Sequence, residues 1–233
     1  NVLTMIDLGG IPLESVDRTM ADPLLVAGGP CCQNPEPMAD YFDVMIMGDG
    51  EPALPEICDL WIELRERYRR DDGTFAEGSE GRSQREEAVA EIAQKLAYAY
   101  VPRFYQPEYE NNRIVSLSRT RDDVPATIAP SVISDLDGIP LPTSPIVPYI
   151  ECVHDRIAIE IMRGCPHLCR FCQSTVIKRP LRIREVDTIV DAAIESYRNT
   201  GYNEISVLSL SSSVYPHFAP LIHRLHEVFR PLG

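Results

Sequence analysis

Apolar residues follow their most regular pattern in the C-terminal third of the chain. Apolar runs at 157–162 and 205–210 predict two strands. Between them, apolar positions recur at the spacing of a helix, and Gly201 lies where the C-terminal cap of that helix belongs. The helix positions are Val186, Ile189, Val190, Ala193, Ile194 and Tyr197, and a further helix is predicted from Phe218, Leu221, Ile222, Leu225 and Phe229. The order strand, helix, strand, helix predicts parallel strands joined by right-handed crossovers.

Two short apolar runs nearer the N-terminus each end in a glycine-rich loop. The runs are 24–27 and 44–47, and the loops contain Gly28, Gly29, Gly48 and Gly50. A helix is predicted over 54–69 from the apolar stripe Leu54, Ile57, Cys58, Trp61 and Leu64. Strands that end in glycine-rich loops are typical of a doubly wound sheet, in which ligands bind at those strand ends. We therefore expect an α/β fold at both ends of the chain.

The middle of the chain is expected to connect these two patterned segments. Residues 71–86 are polar and are expected to be mobile, whereas 85–97 can form a helix. The stretch 128–150 contains five prolines, which exclude a helix and predict an extended tether. The predicted organisation is therefore a first α/β segment over 1–70, a polar and proline-rich connector over 71–150, and a second α/β segment over 151–233.

Composition and charge narrow the classes of function. The chain has 233 residues and a formal net charge of −13, so neither a nucleic acid nor an anionic membrane surface is indicated as a partner. Seven cysteines, an odd number, make a poor disulfide framework, and we expect a reducing cytoplasmic location. The chain starts at Asn1 without a signal peptide and stops just after a helical pattern. We expect both ends to be cuts through a longer protein.

Three of the cysteines form the strongest chemical signal in the sequence. Cys165, Cys169 and Cys172 stand at CxxxCxxC spacing directly after a predicted strand. Three thiolates on one loop can hold three irons of a cubane cluster, which leaves the fourth iron open to a small chelating ligand. The stretch 163–184 carries six basic residues and no acidic ones, so it is expected to offset thiolate charge and to receive a carboxylate.

Other interpretations of the cysteines stay open at this point. A zinc site would use the three cysteines with His167 or a distant residue. An electron-transfer cluster would need a fourth ligand, either Cys152 or a cysteine outside these residues. Chance clustering of core cysteines is a third interpretation. Cys31, Cys32, Cys58 and Cys152 are otherwise ordinary thiols, and His223 and His226 fit a solvated helix face better than a metal site.

The string CxxxCxFC after a strand resembles the radical S-adenosylmethionine (radical SAM) superfamily. The resemblance implies that Cys165, Cys169 and Cys172 bind a 4Fe–4S cluster whose open iron is chelated by SAM. The cluster and SAM would together generate a 5′-deoxyadenosyl radical that abstracts hydrogen from an unknown substrate. The resemblance further implies that Phe171 lies near the adenine. Ser209, Ser211 and Ser212 stand where the family often has a Gly-Gly-Glu motif that contacts the SAM amino group. The resemblance also implies that a reductant such as flavodoxin or ferredoxin supplies the electron.

The strings Arg163-Gly164-Cys165, Arg179-Pro180 and Thr200-Gly201-Tyr202 resemble radical SAM proteins that carry an N-terminal cobalamin-binding-type domain. Under this resemblance the fold is the end of a Rossmann-like cobalamin-binding-type domain, followed by the first βα units of a partial radical SAM (β/α) barrel. Gly28, Gly29, Gly48 and Gly50 would leave room for cobalamin, or would simply form tight βα turns. The first histidine is His154, so no histidine of this half can ligate cobalt. A segment with only two βα units is expected to be inactive and poorly stable by itself.

Overall fold

The computed structural model describes residues 1–150 and 152–232. The chain divides into two compact units, an N-terminal unit over Asn1–Val132 and a C-terminal unit over Ile133–Gly233. The division differs from the predicted segments, because residues 71–132 contribute a helix and strands to the N-terminal unit. No helix among the described residues is both long enough and apolar enough to cross a membrane.

The N-terminal unit is built around a small mixed sheet. Its helices are α1 (Val2–Leu8), α2 (Gly50–Tyr68) and α3 (Gly78–Lys95), and its strands are β1 (Val26–Ala27), β2 (Val44–Ile46), β3 (Ala99–Tyr100), β4 (Tyr105–Glu110) and β5 (Arg113–Arg119). The sheet order is β1-β2-β3, with β1 parallel and β3 antiparallel to β2. All three residues of β2 are buried, as expected for the central strand. Strands β4 and β5 form a separate antiparallel hairpin.

Helix α2 begins four residues earlier than predicted, and its buried face is rotated relative to the predicted apolar stripe. Its first turn takes Pro52, which that position tolerates, and Glu51, which favours a helix N-terminus. Ile57, Trp61 and Leu64 are buried as predicted. The prediction was wrong for Leu54 and Cys58, which are exposed. The remaining buried positions on the helix are Ala53 and Leu60.

Helix α3 occupies part of the stretch that was expected to be mobile. It runs from Gly78 to Lys95, so the prediction of mobility is wrong from residue 78 onward and the predicted helix start at 85 is seven residues late. Its buried face consists mostly of small residues, which give little contrast with the polar face. The buried residues are Gly81, Arg85, Ala88, Val89, Ala90, Ile92 and Ala93. A helix that buries alanines and an arginine escapes a search for large apolar residues.

The C-terminal unit confirms the predicted order of strand, helix, strand and helix. Its elements are β6 (Ile157–Glu160), β7 (Met162–Arg163), α4 (Ser174–Ile177), β8 (Arg182–Ile183), α5 (Val186–Thr200), β9 (Ile205–Leu208) and α6 (Phe218–Phe229). Strands β6 and β9 are parallel. Gly201 adopts φ 73° and donates its N–H to Tyr197 O at 2.9 Å, which confirms the cap. Strands β7 and β8, an antiparallel pair, are an addition that the pattern did not predict.

The proline-rich stretch packs more closely than a free tether. Between Arg119 and Ile157 the described residues form no helix or strand, as the prolines predicted. Ile133 and Leu136 are nevertheless buried. Arg184 donates to the carbonyls of Leu136 at 2.6 Å and Ile139 at 2.9 Å. The beginning of the C-terminal unit is therefore held by an arginine side chain from the segment between β8 and α5.

Candidate functional site

The three motif cysteines lie on a loop that closes at its base. Strands β7 and β8 pair Met162 with Ile183 and Arg163 with Arg182, so the loop leaves and returns at the same place. Gly164 has φ 95°, and a Cβ there would lie 2.7 Å from Lys178 O. Only glycine permits this close crossing of the two ends. The base of the loop is therefore held closed, with Cys165 next to it and Cys169 and Cys172 further along the loop.

The cysteines themselves are accessible thiols. Cys165 and Cys172 are half-buried, Cys169 is exposed, and none of the three is in a disulfide. The N–H of Cys172 donates to Cys169 O at 3.0 Å, and Thr175 Oγ1 donates to Cys172 O at 2.9 Å. Over residues 1–150 and 152–232 no three His, Cys, Asp or Glu side chains are grouped to hold a metal, so the loop does not bring the thiols together here. The metal role of the three cysteines stays a prediction.

The donor set nevertheless fits an iron–sulfur cluster. Thiolates are the soft ligands that such clusters prefer, and three come from one short accessible loop. Loading the loop would break no disulfide. The large apolar side chains Leu168 and Phe171 are 70% and 92% exposed, so the loop surface is free to cover a bound group. Phe171 lies on this loop as the resemblance required, but its predicted contact with adenine is untested.

The basic stretch around the cysteines has a different role from the one expected. Arg182 and Arg184 are buried and donate to main-chain carbonyls, including Pro180 O at 3.0 Å from Arg182. Arg163 forms a bidentate pair with Glu160, at 3.0 and 2.8 Å. Arg179 Nε donates to Thr175 O at 2.8 Å. Four of the six cations therefore hold the loop and its base in place. The other two, Arg170 and Lys178, are the ones that keep the expected role of binding a carboxylate.

Sequence reasoning missed two residues that support this region. Glu160 ends β6 and holds Arg163, and the acidic residue three positions before an arginine was the available signal. Tyr215 is buried and its hydroxyl donates to Arg184 O at 2.6 Å. Burial, with the nearby Glu185 and Asp137 carboxylates, raises the pKa of Tyr215 to about 12. No local pattern in the sequence indicates that tyrosine.

The serines predicted to lie near SAM follow the carboxyl end of β9. Because β6 and β9 are parallel neighbours, the serine loop and the chain that leads into the cysteine loop leave the same edge of this strand pair. Ser209 Oγ and Ser212 Oγ lie 2.9 Å apart, and the N–H of Ser211 donates to Ser209 Oγ at 3.2 Å. The hydroxyls thus form a local turn network. Their contact with SAM stays a prediction.

Close packing within the chain explains one of the glycines assigned to cobalamin. Gly48 has φ 106°, and a Cβ there would lie 2.1 Å from Ser131 O. Ser131 bridges to this strand end, donating to Met47 O at 2.8 Å and accepting from the Asp49 N–H at 2.8 Å. The chain itself therefore fills the space that a corrin would need at Gly48, and cobalamin does not fit there. Gly28, Gly29 and Gly50 have no such close neighbour, and their predicted role is untested.

Comparison with known proteins bears on the family. Residues 1–102 match the family model described as "Radical SAM proteins, N-terminal". This match supports the radical SAM superfamily. It falls in the N-terminal unit, so it is independent of the cysteine motif that first suggested the same superfamily. Neither a cobalamin-binding domain nor the expectation that the chain is a fragment follows from it.

A curated relative extends the comparison to nearly the whole chain. An uncharacterized protein of Methanocaldococcus jannaschii is 24% identical over 217 residues, which cover 93% of this chain and 38% of the relative. The chain thus spans a little over a third of the length of that relative.

Proposed function

We propose that this protein is a radical SAM enzyme in which Cys165, Cys169 and Cys172 bind a 4Fe–4S cluster. The observation that carries the proposal is the placement of three thiols at CxxxCxxC spacing on a loop that follows the parallel strand β6. The family match over residues 1–102 supports the same superfamily from a separate part of the chain. When bound, the cluster supplies the electron that cleaves SAM to methionine and a 5′-deoxyadenosyl radical.

The residues of the chain would bind and orient SAM at the edge where the cysteine and serine loops begin. The open iron would take the amino and carboxylate groups of SAM, as the resemblance implies. Ser209, Ser211 and Ser212 offer hydroxyl acceptors for the ammonium group. Arg170 and Lys178 are the basic residues of the loop left to neutralise the thiolates and a carboxylate. Phe171 offers an exposed ring for the adenine.

The substrate is an unidentified molecule that loses a hydrogen atom, and the electron comes from a reductant such as flavodoxin or ferredoxin. We propose a reducing cytoplasmic location, in which the seven cysteines would stay reduced and the three motif thiols would be free to bind a cluster.

Anaerobic reconstitution of the full-length protein tests the proposal. We expect about four irons per chain, and formation of 5′-deoxyadenosine when SAM and dithionite are added. Cys169→Ala should lose both. Cys58→Ala, which removes an exposed thiol of α2, is the matched control and should keep both.

The same experiment separates the rival interpretations. Loss of the cluster in Cys152→Ala would indicate four protein ligands and an electron-transfer cluster, which contradicts an open iron. One tightly bound zinc with no iron after reconstitution would indicate a structural zinc site. An intact cluster that never yields 5′-deoxyadenosine would show a protein that kept the fold and lost the chemistry.

A further inference from the structure

The hairpin of β4 and β5 has little cover from the rest of the N-terminal unit. Tyr105, at its start, is buried in the core of the unit, but all seven residues of β5 are exposed. The exposed residues include Ile114, Val115 and Leu117, whose exposed fractions are 46%, 53% and 49%. A two-stranded hairpin is marginally stable in water, and a third strand or a packed face is needed to stabilise it. The hairpin therefore gains stability if another strand pairs with it.

The two outer edges of the hairpin differ in their capacity to accept another strand. Within residues 1–150 and 152–232 neither edge pairs with a further strand. β4 carries Pro107, which has no N–H, and the charged residues Glu108 and Glu110. β5 has no proline, lysine or acidic residue, and its charges stand at its two ends, Arg113 and Arg119. Proline and charge in mid-strand protect an edge from pairing, so β4 is protected and β5 is open.

The pairing of β5 with β4 fixes which of its main-chain groups face the open edge. The Thr120 N–H donates to Phe104 O at 2.9 Å, and the register is regular over residues 116–119. Because inward-facing and outward-facing residues alternate in an antiparallel ladder, Leu117 and Arg119 direct their N–H and C=O groups away from β4. These two residues can therefore exchange hydrogen bonds with the same two residues of an antiparallel copy.

We propose that β5 pairs with β5 of a second copy of this chain about a twofold axis at Ser118. The two hairpins then form one four-stranded antiparallel sheet. In this register Leu117 lies opposite Arg119 of the second copy. Arg113 lies opposite Asp123 of the second copy, just beyond the end of its β5. The same surface serves both copies, so the contact closes as a dimer and leaves no open β5 edge.

The charges at the ends of β5 favour a second copy as the occupant of this edge. In the described part of the chain no carboxylate forms an ion pair with Arg113. The Asp123 side chain is 49% exposed, and Asp122 beside it is also exposed. Opposite charges that face each other across two strands stabilise the pairing. The twofold axis places this match at both ends of the contact.

The arginine at the other end of β5 is already held within its own copy. Arg119 Nη1 donates to Asp122 O at 3.1 Å and to Val124 O at 2.8 Å. Its guanidinium is therefore directed toward its own chain, which keeps the two Arg119 charges of the dimer from facing each other. The aliphatic part of Arg119 is left to pack on Leu117 of the second copy.

Sedimentation equilibrium of the full-length protein tests the proposal. We expect a monomer–dimer equilibrium at concentrations of about 10–100 µM. Leu117→Pro removes an N–H that faces the open edge and is not used by the hairpin itself, so it should weaken dimerisation at least about tenfold. Circular dichroism checks that this variant stays folded. A protein that stays monomeric up to about 100 µM, or a dimer that Leu117→Pro does not weaken, would overturn the proposal.

Exchange of the facing charges tests the register. Arg113→Glu and Asp123→Lys should each weaken dimerisation at least about threefold, and the double variant should recover it. Arg82→Glu makes the same charge change at an exposed position of α3 and should dimerise within about twofold of the parent. A double variant as weak as the single variants would contradict the twofold register.

This inference goes beyond the proposed radical chemistry and does not depend on the cysteine loop. Cys169→Ala should dimerise like the parent protein, because β5 belongs to the N-terminal unit. Loss of the cluster and loss of the dimer can therefore be measured separately, and either assignment can fail without the other.

Discussion

The N-terminal unit buries Arg18 and Arg85 against the carboxylate of Asp43, whereas the C-terminal unit buries Arg184 against carbonyls of the 136–139 stretch. In both units a buried arginine fixes segments that lie far apart in the sequence. The energetic consequences differ. A guanidinium that loses its carboxylate leaves a charge in a low-dielectric interior, while a carbonyl that loses its donor leaves only a dipole.

The buried arginines of the two units also differ in what they hold in place. The charge cluster of the N-terminal unit ties α3 and the chain before β1 to Asp43, which directly precedes β2. In the C-terminal unit, Arg182 and Arg184 anchor the base of the cysteine loop and leave its tip exposed. A fixed base with an accessible tip suits a loop that has to enclose a cofactor.

Removal of the buried carboxylate in the N-terminal unit should have the largest effect. Asp43→Asn leaves Arg18 and Arg85 buried without a counter-charge, so we expect a loss of about 3–5 kcal/mol in the free energy of unfolding. Urea unfolding measures the loss, and amide hydrogen exchange should locate it in residues 1–132. Asp59→Asn, at an exposed position of α2, is the control and should change stability by less than about 0.5 kcal/mol. Equal losses of unfolding free energy in Asp43→Asn and Asp59→Asn would contradict a stabilising role for the buried carboxylate.

Loss of the buried donor in the C-terminal unit should have a smaller effect. Arg184→Met removes hydrogen bonds to Leu136 O and Ile139 O, and we expect a cost of about 2–4 kcal/mol from the two unsatisfied carbonyls. Hydrogen exchange should show loss of protection in the C-terminal unit alone. Arg224→Met removes an arginine that is half-exposed on α6 and should cost little. If Arg184→Met lost more unfolding free energy than Asp43→Asn, the order predicted from the two environments would be wrong.

Tyr215 should give the smallest effect, with a defined dependence on pH. Tyr215→Phe removes the hydrogen bond to Arg184 O and should cost about 1 kcal/mol near neutral pH. Since the pKa of Tyr215 is raised from 10.0 to about 12, its contribution is complete below pH 10 and is lost as the pH rises through about 12. The difference between parent and variant should therefore narrow over that interval.

Urea unfolding at several alkaline pH values measures this narrowing. Tyr149→Phe is the control, because the Tyr149 side chain is fully exposed, and it should match the parent throughout. A difference that stays constant, or widens, above pH 10 would contradict the assigned direction of the pKa shift.

The elements of the C-terminal unit could be predicted from the sequence because each has a local pattern of apolar residues. Helix α5, its cap at Gly201 and helix α6 follow from apolar spacing, and the parallel pairing of β6 with β9 follows from the order of elements. The N-terminal unit depends instead on long-range polar contacts. Arg85 and Asp43 are 42 positions apart, and neither residue carries a pattern that indicates burial.

For the candidate site, too, only the features that depend on local sequence could be predicted. The spacing of Cys165, Cys169 and Cys172 is a local property, and so it could be recognised directly. The burial of Arg182 and Arg184 depends on where residues 133–139 pack, which no local pattern reveals. The whole basic stretch was therefore expected to face thiolates and a carboxylate, although these two arginines bind main-chain carbonyls. Gly48 was likewise assigned to a ligand because Ser131, its neighbour in space, is 83 positions away in sequence.

Electron paramagnetic resonance of the anaerobically reconstituted, dithionite-reduced protein, with and without SAM, tests the central assignment most directly. If Cys165, Cys169 and Cys172 hold a 4Fe–4S cluster with an open iron, the parent shows a reduced-cluster signal that changes when SAM is added, and Cys169→Ala shows none. A reduced-cluster signal that SAM leaves unchanged, or one that survives in Cys169→Ala, would contradict the assignment.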